Sequence, residues 1–352
     1  MINRSSRYTV AQPSHPQPRA WLFARAAAGA AFGGQSGHGG VATATAAKAA
    51  TGVLAVPTPG TTLYVYRDHR NWVRTLDWSP DGTCIASASM DGTVQVWEAA
   101  TGSERFTYTG HRGQVLTLAW SPNGAYVATG GNDRTMQIWN AADGERLLSR
   151  RDHARYILAL AWSPVGAKLA SGSEDGLVEI WSLKDGDIIF TYDGHSHKVL
   201  ALGWSPEGRR IASASWDGTL QVWEASNGHQ LFAPLQHGTP LGALTWSPDG
   251  QYVACGGFGG QVYLWNASTG EAVCSYQAHP SWVNALAWSP DGRYLASGGD
   301  DGQVHLWELA RREVAFTYAG HSDQVNALAW SPDGSCIASA GDDQTVQIWF
   351  TP

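Results

Sequence analysis

The chain has 352 residues and a formal net charge of −7, and it is long enough to bury a substantial core. After residue 60 there are 30 acidic and 18 basic residues, a net charge of −12 that argues against a nucleic-acid-binding surface. No run of 18 apolar residues occurs, so the sequence also argues against stable insertion in a membrane.

The first 60 residues differ in composition from the rest of the chain. They contain five basic residues, no acidic residue and many Ala, Gly, Ser and Pro, which is typical of a disordered arm, whereas residues 61–352 are expected to form one domain. Residues 20–33 (AWLFARAAAGAAFG) allow a second interpretation, because a short apolar segment after basic residues is typical of a secretory signal. Arg25 interrupts that segment. We therefore expect a cytoplasmic protein, with export as the alternative.

Cysteine spacing gives no sign of a disulfide or metal framework. The four cysteines are Cys84, Cys255, Cys274 and Cys336, with no C-x-x-C pair among them. This pattern indicates reduced, structural thiols, and we expect no metal and no cofactor.

A 42-residue repeat governs the sequence after the arm. The nine residues NALAWSPDG occupy positions 284–292 and recur, letter for letter, at 326–334. Three residues mark each of the seven units at this step. They are the Trp of Trp-Ser-Pro (Trp78, Trp120, Trp162, Trp204, Trp246, Trp288, Trp330), a second Trp (Trp97, Trp139, Trp181, Trp223, Trp265, Trp307, Trp349) and a His (His69, His111, His153, His195, His237, His279, His321).

Each unit contains the signals of four short antiparallel strands. In the last copy, apolar alternation appears in ALAW, CIASA and TVQIW, with turn residues between these segments. The segment VAFTY, before the His of that copy, supplies a fourth strand. In SPDG, Pro suits the second position of a turn and Gly suits a positive φ. One such unit cannot bury both of its faces, but seven stacked copies can.

These units resemble WD repeats in their period, their Gly-His pairs, Trp-Ser-Pro and the terminal Trp. The resemblance covers residues 61–352 and implies an all-β fold, a closed seven-bladed β-propeller of four-stranded antiparallel blades. Two departures are that Asp never follows the terminal Trp and that Gly-His is complete only at His111, His195 and His321. The near-identical copies resemble bacterial WD-repeat proteins, in which such propellers are often appended to kinase or protease domains.

The segment before the first unit predicts how the ring closes. The sequence ends three residues after Trp349, so the seventh unit lacks a fourth strand of its own. Residues 61–66 match the VAFTY position of the other units. We expect them to complete the last blade as an N-terminal strand, which would remove an exposed strand edge.

Six units pair the recurrent His with an Asp 22 residues later, a hydroxyl and the second Trp. The resemblance implies that these residues form a buried hydrogen-bond network in each blade. In blade two they are His111, Thr129, Asp133 and Trp139, and in blade three they are His153, Ser171, Asp175 and Trp181. A Ser-His-Asp set also suits nucleophilic catalysis, but six copies favour a framework, so we predict no catalytic residue. Blade five loses both partners together, with Cys255 and Gly259 in their places.

Positions that differ between units are the candidates for binding. The spacing from Val325 to Leu328 breaks the strand alternation and predicts a bulge. The flanking positions, with the residue before the turn Asp, match those by which WD-repeat propellers commonly contact partners. The predicted partner-binding residues are Trp72, Arg74, Met90, Tyr156, Leu158, Trp216, Phe258, Trp282, Asp300 and Asp342. Aromatic side chains among polar residues are typical of binding hot spots.

The sequence therefore predicts a non-enzymatic scaffold or adaptor, a monomeric propeller that binds a protein or peptide on one face. One alternative is the regulatory or sensor propeller of a split or truncated signalling enzyme. A propeller enzyme that uses the central channel is a further alternative, although no convergent set of catalytic residues supports it.

Overall fold

The computed structural model describes residues 58–352. The segment at residues 20–33, and the predicted arm up to residue 57, lie outside the described residues and stay predictions. Backbone pairing is already present at Gly60, whose N–H donates to the carbonyl of Phe350 at 2.7 Å. Within the described residues, no helix is long and apolar enough to cross a bilayer.

The described chain forms 28 strands in seven four-stranded antiparallel sheets. Blade one contains β2 (Val73–Trp78), β3 (Cys84–Ser89), β4 (Val94–Glu98) and β5 (Glu104–Tyr108). Blade two contains β6 (Val115–Trp120), β7 (Tyr126–Gly131), β8 (Met136–Asn140) and β9 (Arg146–Arg150). Blade three contains β10 (Ile157–Trp162), β11 (Lys168–Ser173), β12 (Val178–Ser182) and β13 (Ile188–Tyr192). Blade four contains β14 (Val199–Trp204), β15 (Arg210–Ser215), β16 (Thr219–Glu224) and β17 (Leu235–Gln236).

The remaining three blades complete the ring. Blade five contains β18 (Leu241–Trp246), β19 (Tyr252–Gly257), β20 (Gln261–Asn266) and β21 (Ala272–Gln277). Blade six contains β22 (Val283–Trp288), β23 (Tyr294–Gly299), β24 (Val304–Glu308) and β25 (Glu313–Tyr318). Blade seven contains β26 (Val325–Trp330), β27 (Cys336–Gly341), β28 (Val346–Phe350) and the N-terminal β1 (Thr62–Tyr66). The first strand of each blade packs against the first strands of its two neighbours, so the predicted seven-bladed β-propeller is confirmed.

The first strand of each blade is its inner strand, and it contains one bulge near its start. In blade seven Val325 pairs with Gly341, whereas Ala327 pairs with Ala340, so Asn326 is an extra residue. The other six inner strands show the same shift. The predicted break in alternation is therefore confirmed, and the residue at each bulge lines the central channel.

The fourth strand of blade four is much shorter than the fourth strands of the other blades. It contains only the two residues of β17, which pair with Thr219 and Leu220. Pro234 lies directly before it and has no N–H to donate to a strand ladder. The ladder is therefore interrupted at the proline, and before it only an isolated bridge joins Gln230 to Trp223.

In blades one, three, four, five and seven, the first Trp joins its blade to the one before it. The indole N–H of Trp162 donates to the carbonyl of Ala119 at 2.9 Å, and that of Trp204 donates to Ala161 at 3.0 Å. Trp78, Trp246 and Trp330 make the equivalent bond. Because these bonds lie between inner strands, they fix the spacing of the blades where the ring is narrowest.

The second Trp series carries another contact between blades. Tyr108 of blade one stacks on Trp139 of blade two, with ring centroids 4.8 Å apart. The same contact closes the ring, because Tyr66 of β1 stacks on Trp97 of blade one at 4.4 Å. β1 also pairs antiparallel with β28. The predicted closure by the N-terminal strand is therefore confirmed.

Asp77 occupies a position between blades one and two where most other blades have Ala. Its carboxylate accepts the backbone N–H of Trp120 at 2.8 Å, and the Trp120 indole donates within its own blade, to Gly124. Burial raises the pKa of Asp77 to about 6, although the N–H groups of Trp120 and Trp78 partly oppose that rise. Folding therefore makes this carboxyl group easier to protonate than it is in the unfolded chain.

We predict that Asp77→Asn stabilises the protein at pH 7 and has a much smaller effect at pH 4. A folded pKa above the ordinary value of 3.8 lowers stability progressively as the pH rises from about 4 to about 6. The neutral amide avoids that loss, which is on the order of 1–3 kcal/mol. Urea unfolding at both pH values measures the difference. An equal gain at pH 4 and pH 7 would contradict the assignment.

Candidate binding face

The structure brings the predicted positions together at one end of the ring. In each blade, the residue before the turn Asp donates its N–H to the carbonyl of the residue before the inner strand. Examples are Trp216 to Lys198 at 2.9 Å and Asp300 to Trp282 at 3.2 Å. The equivalent pairs are Met90–Trp72, Asn132–Gln114, Glu174–Tyr156, Phe258–Pro240 and Asp342–Gln324. Residues from all seven blades therefore surround one mouth of the channel.

Three of the predicted residues form an aromatic cluster, which we define as Trp216, Phe258 and Trp282. The ring centroids of Trp216 and Trp282 are 5.7 Å apart, and those of Phe258 and Trp282 are 5.6 Å apart. Trp216 is 44% exposed and Phe258 is 54% exposed, while Trp282 between them is half-buried. The aromatic cluster thus joins blades four, five and six in one apolar surface. His197 extends it on the side of Trp216, at 6.2 Å.

Gly242 makes room for the centre of this cluster. A Cβ atom at Gly242 would lie 3.1 Å from the indole nitrogen of Trp282. The same bulge position holds Leu116, Leu158 and Leu200 in blades two to four. The absence of a side chain in blade five therefore lets Trp282 lie across the neighbouring inner strand.

The other predicted aromatic residues stand apart from the cluster. Trp72 and Tyr156 are each 44% exposed, and neither makes a ring contact within residues 58–352. Met90 is half-buried next to Trp72. These residues lie on the same face but do not extend the aromatic cluster.

Polar predicted residues form a second sector of the face. Asn326 accepts a hydrogen bond from Arg74 at 3.1 Å and donates one to Asp342 at 2.6 Å. Asp342 is 9% exposed, so its carboxylate mainly holds Asn326. Burial raises the pKa of Asp342, and burial lowers that of Arg74. In blade six, Asn284 makes the equivalent bond to Asp300 at 2.9 Å.

The bulge residues also divide the wall of the central channel. The cavity has a volume of about 320 Å³ and passes the bulge residues of all blades. Its apolar side is formed by Leu116, Leu158 and Leu200, and its polar side by Arg74, Asn284 and Asn326. Leu158 therefore lies in the channel wall, at the inner edge of the binding face.

The repeated Asp, His, hydroxyl and Trp residues form a hydrogen-bond chain inside the blades. In blade two, His111 Nδ1 is 3.0 Å from Asp133, and His111 Nε2 is 2.8 Å from the Thr129 hydroxyl. That hydroxyl also accepts the Trp139 indole N–H at 3.3 Å. In blade three, His153, Asp175, Ser171 and Trp181 are joined in the same way. The Thr129 and Ser171 hydroxyl groups are fully buried, so no substrate atom can approach them in this arrangement.

These hydrogen bonds stabilise the ionised form of the Asp side chains. Burial by itself would raise the pKa of Asp175, but hydrogen bonds led by that from His153 hold it at about 2. For Asp133, burial is likewise outweighed by hydrogen bonds from His111 and from the N–H groups of Thr135 and Arg112. Its pKa therefore lies well below the ordinary value.

Blade five has a reduced version of this arrangement. The Cys255 sulfur lies 3.6 Å from His237 Nε2. Burial lowers the pKa of His237 to about 4 and raises that of Cys255. The pair is therefore neutral near pH 7, unlike the thiolate and imidazolium of a nucleophilic cysteine site. Gly259, in the Asp position, has a φ of +95°, a conformation that suits glycine.

Two residues of the site escaped the sequence reasoning. They are His197, which lies two residues before Val199 of β14, and Gly242, and neither is among the predicted partner-binding residues. Comparing position 242 with its Leu counterparts would have indicated a missing side chain beside Trp282. That signal becomes specific only when the neighbouring blade is known to lie there.

Two family models match this chain. The model described as IFT122 first beta-propeller matches residues 44–308, and the model described as WD domain, G-beta repeat matches residues 312–349. The chain belongs to the WD-repeat β-propeller family. WD-repeat propellers generally mediate protein–protein interaction and are typically non-enzymatic. Among curated proteins, none matches the chain significantly.

We predict that Asp133→Ala lowers the free energy of unfolding of this WD-repeat propeller by about 2–3 kcal/mol at pH 7, because it strands buried donors. The control is Asp143→Ala in the same blade, where the exposed carboxylate accepts only the N–H of Glu145. That change should cost less than about 0.5 kcal/mol.

The cost of Asp133→Ala should also depend on pH. Because the folded pKa is depressed, the stabilisation by Asp133 is fully present above the ordinary value of 3.8 and is lost progressively as the pH falls from that value towards the lower folded pKa. Urea unfolding of both variants at pH 7 and pH 3 checks this. Equal midpoints for Asp133→Ala and wild type at pH 7 would show that the network adds no stability.

Proposed function

We propose that this propeller is a non-enzymatic binding module that holds a protein or peptide segment against its aromatic cluster. The observation that carries the proposal is the contact among Trp216, Phe258 and Trp282 across three blades while the surface stays open to solvent. Large aromatic side chains that gather at one place and remain exposed are typical of binding hot spots. Such a surface suits a large apolar side chain of a partner.

The residues beside the cluster suggest the charge of that partner. Asp300 is joined to Trp282 through the backbone, and its carboxylate accepts a hydrogen bond from Asn284. The exposed Asp323 lies on the same face. An acidic rim next to an apolar anchor favours a segment with Lys or Arg close to its apolar residue.

The repeated Ser-His-Asp sets support a binding role over catalysis. Their hydroxyl groups are buried, and the ring nitrogens of His111 and His153 are both already hydrogen-bonded within their blades. A general base must reach the proton of a substrate or nucleophile in a site that a substrate can enter. The binding face, by contrast, presents solvent-exposed side chains from several blades, such as Trp72, Tyr156 and Trp216.

Peptides selected from a random library on the wild-type propeller are expected to combine apolar and basic residues. The same peptides should bind the Trp216→Ala and Trp282→Ala variants at least about 30-fold more weakly than wild type. This loss corresponds to the 2 kcal/mol or more that a hot-spot residue contributes. The control is Val165→Ala, because Val165 is 72% exposed in the β10–β11 turn at the opposite end of the ring. Fluorescence anisotropy measures affinity, and melting temperatures should stay within about 4 °C.

A second variant tests the shape of the cluster without removing an aromatic ring. Gly242→Leu introduces the side chain that blades two to four have at this position, and it should displace Trp282 and weaken the same peptides. Peptides that bind Trp282→Ala and Gly242→Leu as tightly as wild type would show that the aromatic cluster is not the binding site.

A further inference from the structure

Blade six departs from the other network blades directly after its His. In five blades, the residue after the His donates its backbone N–H to the network Asp, as Arg112 does to Asp133 at 3.0 Å. In blade six that residue is Pro280, which has no N–H. Asp301 therefore lacks a donor that its counterparts have.

A second donor is also missing from Asp301. In blades one, two, four and seven a Thr hydroxyl donates to the network Asp, as Thr135 does to Asp133. Gln303 stands at this position in blade six and donates only its backbone N–H, to Asp301 Oδ1. His279 Nδ1 lies 2.9 Å from the same oxygen. Asp301 Oδ2 accepts no hydrogen bond from the described part of the chain.

Blade six also has a second imidazole beside the network. Four other blades have Gln at the position of His305. In blades two, four and seven, the amide of that Gln lies close to Nδ1 of the network His and donates to a backbone carbonyl. The His305 ring lies instead 4.8 Å from the His279 ring. Its Nδ1 is 2.9 Å from the Thr317 hydroxyl, which leaves Nε2 free.

We propose that His279, Asp301 and His305 bind one divalent transition-metal ion of the Zn²⁺ class. One ligand atom from each of the three residues lies within 4.8 Å of the other two. Zinc ligands at about 2.0–2.2 Å from the ion lie roughly 3.3 Å from each other in a tetrahedron. Small rotations of the partly exposed Asp301 and His305 side chains are enough to bring the ligand atoms to that separation. Two imidazoles and a carboxylate are ligands that Zn²⁺ accepts, with a water in the fourth position.

The surroundings of the site favour a cation over the hydrogen bonds of the other blades. Pro280 and Gln303 remove hydrogen-bond donors from Asp301, and His305 adds an acceptor nitrogen beside it. Asp301 Oδ2 and His305 Nε2 therefore keep lone pairs that can bind a cation. The Asp301 side chain is 16% accessible, against 7–10% for its five counterparts, so an ion can enter from solvent.

Neighbouring hydroxyl groups can orient both imidazoles as metal ligands. Ser297 lies 3.0 Å from His279 Nε2, so its oxygen can accept the proton of the tautomer in which Nδ1 binds the ion. Thr317 can accept the Nδ1 proton of His305. Outer-sphere hydrogen bonds of this kind fix the tautomers of metal-binding histidines. Neutral His279 changes tautomer without a net change in its proton number.

The test uses the full chain without an affinity tag, titrated with Co²⁺ and with Zn²⁺. Visible absorption of Co²⁺ and calorimetry of Zn²⁺ should both show one site with a dissociation constant of about 10 µM or tighter. His305→Gln should weaken that site at least about tenfold, as should Asp301→Asn. His305→Gln installs the residue that blades one, two, four and seven already have, so it should fold like wild type.

The matched control is Gln347→His in blade seven. It places a second imidazole beside His321 and Asp343, but the N–H of Ser322 and the hydroxyl of Thr345 still donate to that Asp. It should therefore add no second site. The proposal would be overturned if the wild-type protein bound neither ion when the ion concentration was tenfold above the expected dissociation constant. It would also be overturned if His305→Gln bound the ions as tightly as wild type.

Discussion

The structure depends on the fact that a four-stranded blade has two apolar faces and cannot bury either of them alone. Each blade is therefore stable only against its neighbours, and tryptophans of most units make those contacts specific. The indole of Trp162 donates to the preceding inner strand, while Trp139 stacks under a Tyr of the preceding blade. Because every interface needs a partner, the ring must also close, and Tyr66 on Trp97 repeats the same stacking at the junction.

This constraint separates the residues that hold the ring from those that are free to serve a function. A change at a framework position alters bonds between blades, as Asp77 does when it takes the backbone N–H of Trp120 and the indole of Trp120 bonds inside its own blade. At the channel mouth, the backbone bonds between turn and inner strand are independent of the side chains. Trp, Phe, Asp or Gly can therefore occupy these positions without loss of the fold. Trp216, Phe258 and Trp282 form the aromatic cluster at such positions.

Much of the fold could be predicted from the sequence because its causes are local and repeated. The alternation in CIASA predicts a strand, SPDG predicts a turn, and the position of residues 61–66 predicts how the ring closes. The short β17 could have been anticipated from Pro234. The candidate site was less predictable, since contacts among Trp216, Phe258 and Trp282 depend on how neighbouring blades face each other. The burial of Asp342 against Asn326 and the meeting of His279 with His305 likewise arise only in three dimensions.

The central claim is that seven blades form one cooperative ring, closed by β1, which carries the binding face at one end. Native-state hydrogen exchange measured by mass spectrometry tests it most directly, by comparing the amides of β1 with those of β5, an outer strand within a single unit. The account predicts equal protection of the paired amides in the two strands, with exchange only through opening of the whole ring. Fast exchange of β1 by local fraying, while β5 stays protected, would show that the ring does not depend on this closure.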